Sequence, residues 1–175
     1  MELDRIKTYL SSEDSHDRLK ALTELRQYEA EVAVPLLQSR LNDPEFIVRS
    51  FVAMGLGRKQ TDAAFTSLLE MLESDRDYNV RAEAASSLAL YGDVAIAHLV
   101  QAFRQNEHWL IRRSILASMQ DMPPSAEFYD VCEMALADRD VTVSDSAIDG
   151  LGMLARSSQK EMALAQLLRL TTAKW

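Results

Sequence analysis

LESDRDYNVRAEAASSLALYGD, residues 72–93, holds the end of one helix and the whole of the next. Asp75 is placed to close the first helix. Val80 and Arg81 fall in the first turn of the second, and Val80, Ala84, Ala85 and Leu88 give it an apolar face at helical spacing. Gly92 is placed to end it. Parts of this block recur on both sides. With the arginine as a ruler, Arg18, Arg49, Arg81 and Arg112 follow one another by 31, 32 and 31 residues, and Ser144 falls 32 further on. A period in the thirties is the signature of stacked supersecondary units, each unable to bury its apolar face alone.

Read in order, the chain predicts a short first helix over 2–10, then a helix in SSEDSHDRLKALTELRQYE with Ser12 or Ser15 as N-cap. A helix over about 31–42 follows, with Pro35 in its first turn. In NDPEFIVRSFVAMGLGRK, Asp43 is placed to cap, Pro44 to take the first helical position, and Gly55 or Gly57 to lie near the end. DVAIAHLVQAFRQ pairs with NEHWLIRRSILASMQD, which Pro123 and Pro124 terminate, and SAEFYDVCEMALA pairs with DRDVTVSDSAIDGLGMLAR. A last helix over about 159–173 is expected to open with a capping box from Ser158 to Glu161. The expected architecture is one all-α domain over 1–175, a right-handed α-solenoid of about five helical hairpins. Its units run about 1–29, 30–59, 60–92, 93–122 and 123–157, with a terminal helix over 158–175.

Composition agrees with that reading and narrows the partners. Five Gly and four Pro in 175 residues are too few for a turn-rich β chain. A formal net charge of −8 repels a duplex phosphate backbone, so nucleic acid is not an expected partner. The single cysteine, Cys132, forms no internal disulfide and falls on an apolar helix face, which predicts a buried, inert thiol. The N-terminus MELDRIKTYL lacks the order of a signal peptide and no apolar run approaches a membrane span, so a cytoplasmic protein without membrane insertion is expected.

The block D-x-D-x-x-V-R-x-x-A-A-x-x-L, with the weaker D-P-E-F-I-V-R before it, resembles HEAT-like repeats. More narrowly it resembles the short bacterial and cyanobacterial subclass named after phycobilisome lyases. The resemblance runs over essentially the whole chain and implies that the second helix of each hairpin lines the concave, ligand-facing side. It implies less about function, because such repeats serve bilin lyase subunits, phycobilisome-degradation factors, a metal-dependent hydroxylase and plain scaffolds. The departures are Asp17-Arg18 in place of Val-Arg, Asn106 in place of the leading Asp, and Val143-Ser144-Asp145 in the fifth unit. Trp175 falls one period beyond Val143, where another second helix would begin, so the last helix is either a cap or the start of an interrupted unit.

Two rows of residues compete for a functional role. The recurring charges Asp43, Arg49, Asp75, Arg81, Arg112 and Asp138 read either as an arginine strip for anionic groups or as a structural ladder of paired charges. The ladder is the expectation, since partly buried charges are paired. Phe46, Tyr78 and Trp109 stand in register two residues before Val48, Val80 and Ile111. At a helix start such aromatics usually pack on the preceding unit. Trp109 is the exception, with His108 and Arg113 beside it.

The ligand-facing surface is read from the positions one, two and five after each arginine mark. These are Ser50, Phe51 and Met54; Ala82, Glu83 and Ser86; Arg113, Ser114 and Ala117; and Asp145, Ser146 and Asp149. The predicted partner-binding set is therefore Phe51, Met54, Glu83, Ser86, Trp109, Arg113, Asp145 and Asp149. Phe51 with Met54 makes the apolar anchor, although Phe51 suits a core between repeats equally well. Asp145 and Asp149 share one face four residues apart and read as a solvated face, since no histidine stands near them.

Catalytic and metal motifs are absent: His16, His98 and His108 lie whole repeats apart, and no H-E-x-x-H or glycine-rich phosphate loop occurs. The sequence thus predicts a non-catalytic scaffold, adaptor or chaperone that binds a protein partner on its concave face and needs no cofactor or metal. The alternative implied by the resemblance is a phycobiliprotein-acting factor, either a bilin lyase-type subunit or a phycobilisome-degradation protein. Its cofactor would be phycocyanobilin or a related linear tetrapyrrole.

Overall fold

Helices build the whole described chain, because apolar residues recur every third or fourth position and few glycines or prolines interrupt them. The computed structural model describes residues 1–157 and 159–173, and among these there is no strand. The expected capping box at Ser158 and the marks at Trp175 lie outside the described residues. Two compact units, Met1–Tyr91 and Gly92–Trp175, divide the chain.

In the first unit the helices are α1 (Leu3–Leu10), α2 (Ser15–Glu24), α3 (Ala30–Gln38), α4 (Phe46–Lys59), α5 (Asp62–Ser74) and α6 (Tyr78–Ala89). They form three hairpins in two layers: α4 packs between α2 and α6 in the second-helix layer, while α3 packs on α5 in the other. Their shared core is aliphatic and includes Ile6, Leu25, Leu37, Leu56, Leu68 and Leu88, all essentially inaccessible to water. Burial of each such side chain contributes about 1.5–3 kcal/mol. The second unit repeats the plan with α7 (Asp93–Gln105), α8 (Trp109–Gln120), α9 (Ala126–Ala135), α10 (Val141–Leu154) and α11 (Lys160–Thr172). There α7 packs on α9, α8 on α10, and α11 on both α9 and α10.

Close approach of helices depends on two glycines. A methyl group on Gly57 of α4 would lie 2.8 Å from Ser87 Cβ of α6, and one on Gly150 of α10 would lie 2.7 Å from Cys132 Sγ of α9. Cys132 is fully buried and its thiol is pushed up to about 12 by desolvation.

Several helix ends differ from the expectation. Asp14, not Ser12 or Ser15, caps α2 by accepting the His16 N–H at 2.9 Å. Ser12 instead accepts the Asp14 N–H and donates to Asp17. Pro35 stands inside α3, beyond its first turn, where it is exposed to water. Pro44 lies in the turn before α4 and Asp43 does not cap that helix; its carboxylate is committed elsewhere, as described below. The left-handed residue ending α4 is Gln60, with φ 44, and neither Gly55 nor Gly57 takes that role. A non-glycine residue is held there because the Gln60 side chain donates to the Leu90 carbonyl at 3.0 Å, while Lys59 donates to the carbonyls of Arg26 and Tyr28. Gly92 does adopt a positive φ, 75, but it lies three residues past α6 and at the N-terminus of α7.

Candidate functional site

The repeated charges are consumed by the frame. In the first unit, Arg18 of α2 grips Asp43 through two parallel bonds, Nε to Oδ2 at 2.8 Å and Nη2 to Oδ1 at 3.0 Å. Its remaining nitrogen, Nη1, donates to the carbonyls of Ser12 and Glu13, both at 2.9 Å. Arg49 of α4 repeats this on Asp75 at 2.8 and 3.0 Å, with Nη1 on the Asp43 carbonyl at 2.8 Å. In the second unit Arg112 of α8 donates to Asp138 at 2.5 Å and to the Asn106 carbonyl at 2.5 Å. Each arginine therefore ties its own turn to the carboxylate that opens the next second helix, 25 or 26 residues later.

The carboxylates are held as firmly from the other side. Asp43, Asp75 and Asp138 each accept the backbone N–H two residues on, at 3.1, 2.9 and 2.9 Å, which shapes the turn before the helix. Bidentate pairing holds the Arg49 guanidinium protonated, with its pKa raised above the ordinary arginine value chiefly by the Asp75 hydrogen bond. Arg81 sits at the third mark of the series, and its Nε donates to the Leu72 carbonyl at 2.8 Å. Arg18, outside the expected row, belongs to it through its pair with Asp43. The 25-residue spacing to Asp43 is the signal that could have found it.

In contrast, the aromatic row lies open. Phe46 and Tyr78 in the first unit are 43% and 48% exposed, and Trp109 in the second is 40% exposed. Each is thus more exposed than packing on the preceding unit leads one to expect of a helix start. Each is the first residue of its helix, and a helical side chain leans toward the N-terminus, which here projects it past the end of the helix over the turn. Val141, first residue of α10, occupies the same place and is 66% exposed. That position carries no aromatic signal and sequence reasoning missed it. Trp109 stacks on His108 with ring centres 6.0 Å apart, while His108 accepts the Leu110 N–H at 3.3 Å through Nδ1.

The predicted partner-binding residues fall into two groups. In the first unit Phe51 and Met54 of α4 and Glu83 and Ser86 of α6 are half-buried. Arg58, one turn beyond Met54, acts electrostatically on Glu83, so the two stripes lie side by side. Burial raises the Glu83 pKa, and the Ser87 hydroxyl and Arg58 pull it back only in part. Ala82 does not join this face: it is buried. In the second unit Arg113 is exposed on α8, which also carries Trp109, and Asp145 and Asp149 are exposed on the adjacent helix α10. Arg113 acts on Asp140, whose carboxyl is held below the ordinary range first by the Thr142 hydroxyl. Among the described residues no three His, Cys, Asp or Glu side chains converge to hold a metal ion. No described helix is long and apolar enough to cross a membrane.

Hairpins repeated about every 32 residues, with arginine–aspartate pairs at the turns, define a helical repeat fold. Residues 39–120 match the family described as HEAT repeats. No curated protein matches the sequence. Among solved structures, a chain in the complex of CpcE and CpcF of phycocyanin lyase from Nostoc sp. PCC7120 superposes with a TM-score of 0.65 at 19% identity. That match covers 90% of this chain and 66% of the other, so the present chain spans just under two thirds of its length. YibA of Escherichia coli superposes with a TM-score of 0.57 at 18% identity, covering 96% of this chain and 74% of that one. These matches agree with the phycobilisome-lyase-type HEAT-like repeat that residues 72–93 resemble.

Proposed function

We propose that the protein is a non-catalytic HEAT-like scaffold or adaptor of the cytoplasm that binds a protein partner through the second helices of its hairpins. The observation carrying this reading is the exposed apolar residue that opens successive second helices, Phe46 and Tyr78 in one unit and Trp109 and Val141 in the other. Large apolar groups held in water at a fixed register are the anchors a protein surface uses, and aromatic residues dominate such anchors. Phe51, Met54, Glu83 and Ser86 extend the surface in the first unit, as Arg113, Asp145 and Asp149 do in the second. The test is site-specific photo-crosslinking in the native host, with a benzophenone amino acid replacing Phe46, Trp109 or, as control, exposed Lys7 of α1. The reading expects one discrete protein adduct from position 46 or 109 and none from position 7. Adducts of equal yield from all three positions, or from none, would refute it.

A second reading rests on the likeness to a chain of a phycocyanin lyase complex: a phycobiliprotein-acting factor that handles phycocyanobilin. Trp109 and Arg113 offer an aromatic face and a cation of the kind a tetrapyrrole ring and its propionates would meet. Incubation with free phycocyanobilin, with and without an apo-phycobiliprotein subunit, separates the readings. A shifted absorbance band or chromophore transfer supports the second, and an unchanged spectrum removes it.

A further inference from the structure

Of the large apolar side chains exposed in the first unit, Phe46, Ile47 and Tyr78 gather where α4 and α6 begin, whereas Val32 lies on α3 and Leu90 past the end of α6. Hydrogen bonds hold the two helix starts side by side. Arg49 of α4 pairs with Asp75 before α6, and Arg76 donates through Nη2 to the Pro44 carbonyl before α4 at 3.0 Å. Phe46 and Tyr78 each stand three residues before the arginine of their own helix, so they hold the same register on neighbouring helices. Packed helix axes lie about 8–10 Å apart, which sets the interval between the two starts.

A carboxylate accompanies each ring. Glu45 directly precedes Phe46, and Asp77 directly precedes Tyr78. Asp77 caps α6 by accepting the Asn79 N–H at 2.8 Å, whereas Glu45 makes no side-chain cap bond to α4 and is exposed. The bond from Arg18 to Asp43 brings the turn before α2 to the same edge, with Glu13 and Asp14 exposed there. Among the turn residues 11–14, 39–45 and 75–77, one cation is exposed, Arg76; Arg40 is half-buried, 3.7 Å from Asp43. The edge thus presents apolar rings and carboxylates to water together.

We propose that this edge docks a lysine- or arginine-rich segment of a partner protein, an inference that rests on the reading of the second-helix starts as partner-facing. A basic side chain matches an aromatic ring beside a carboxylate: its methylene stem covers the ring, the ring face attracts its charge, and its head reaches the carboxylate. Glu45 with Phe46 and Asp77 with Tyr78 supply that combination twice. The segment therefore presents two basic side chains about 10 Å apart, which is one heptad of an α-helix. The chain's net charge of −8 attracts such a segment and repels an anionic membrane surface.

The experiment is a fluorescence-anisotropy titration of the full chain with a labelled synthetic helix carrying two arginines one heptad apart on a background of alanine and glutamine. Two companion peptides replace the arginines by glutamine or by glutamate. Saturable binding of the arginine peptide is expected, weakened by added salt and weakened roughly tenfold by Phe46→Ala, which corresponds to about 1.4 kcal/mol. Glu45→Lys should lose the arginine peptide and gain the glutamate peptide, while both variants keep the circular dichroism of the parent. Failure of the arginine peptide to bind, equal binding of the glutamine peptide, or parent-like binding by both variants overturns the proposal. A concentration-dependent dimer of the chain alone that Phe46→Ala dissociates names a second copy as the occupant and overturns it too. If position 46 still gives its discrete crosslinked adduct in the host while the arginine peptide fails, the basic segment falls and the partner-facing reading stands; failure of both removes both.

Discussion

Helices α1 and α11 stand at opposite ends of the chain, each at the margin of its own unit, and they meet water differently. Helix α1 turns Ile6 and Leu10 inward and exposes Glu2, Asp4, Arg5, Lys7 and Thr8 around them. Its hairpin is tied further by Arg18 on Asp43, by the Met1 amino group on Glu24 at 2.8 Å, and by the Tyr28 hydroxyl on the Met1 carbonyl at 2.6 Å. Helix α11 is held by Ala163 and two half-buried leucines and exposes three large apolar side chains. Helix α1 thus presents a polar outer face and α11 a partly apolar one.

The contrast can be broken most severely at the seam that anchors the first hairpin. Asp43→Ala leaves the buried Arg18 guanidinium without its fork and frees the turn before α4, so urea unfolding should show a loss of about 3–5 kcal/mol. Ile6→Ala empties part of the core beneath α1 and should cost about 2–5 kcal/mol by the same measurement, which a frayed end would not show. Both values test how firmly α1 is integrated into its hairpin.

Between the two extremes lies half-buried Glu83. Its folded pKa is raised, so the stability it allows is present below the ordinary carboxylate pKa and is lost as pH rises through the raised folded value. Glu83→Gln should therefore raise the melting temperature modestly at neutral pH. The gain should shrink as pH falls toward about 4, where the carboxyl is protonated in both states. A gain independent of pH would assign the effect to something other than ionisation. The smallest effect is expected at α11, where Leu168→Glu should change the unfolding free energy by no more than about 0.5 kcal/mol because the side chain is already in water.

Much of this organisation was legible in the sequence, for identifiable reasons. The 31- and 32-residue spacing of Arg18, Arg49, Arg81 and Arg112 revealed the hairpins, because the arginine holds the same place in each, and Arg18, Arg49 and Arg112 each pair with the aspartate of the following turn. Asp75 as a helix end and Val80 in the core followed from the same block. What escaped was set by neighbours in space. Residue types at the start of α4 suggested Asp43 as a cap, yet an arginine 25 residues earlier claims its carboxylate and moves the helix start to Phe46. Gln60 in a left-handed conformation depends on the Leu90 carbonyl, 30 residues away in sequence. Ala82 holds the same place in its repeat as Arg113 and Asp145, yet it is buried where they are exposed. The exposure of Phe46, Tyr78 and Trp109 follows from where each helix begins, and sequence patterns fix helix starts least well.

Recurring charges form the frame, whereas the exposed apolar residues are proposed to face a partner. Phe46 and Arg49 test this division within one turn of one helix, the former exposed and the latter 3% exposed. Equilibrium urea unfolding of Phe46→Ala and Arg49→Ala, side by side, is the most direct measurement. The account predicts a loss of about 3–5 kcal/mol for Arg49→Ala, which strands Asp75, and a change within about 0.5 kcal/mol for Phe46→Ala. A large loss for Phe46→Ala with little change for Arg49→Ala would contradict it, making the aromatic row part of the core and leaving the charges available to a ligand.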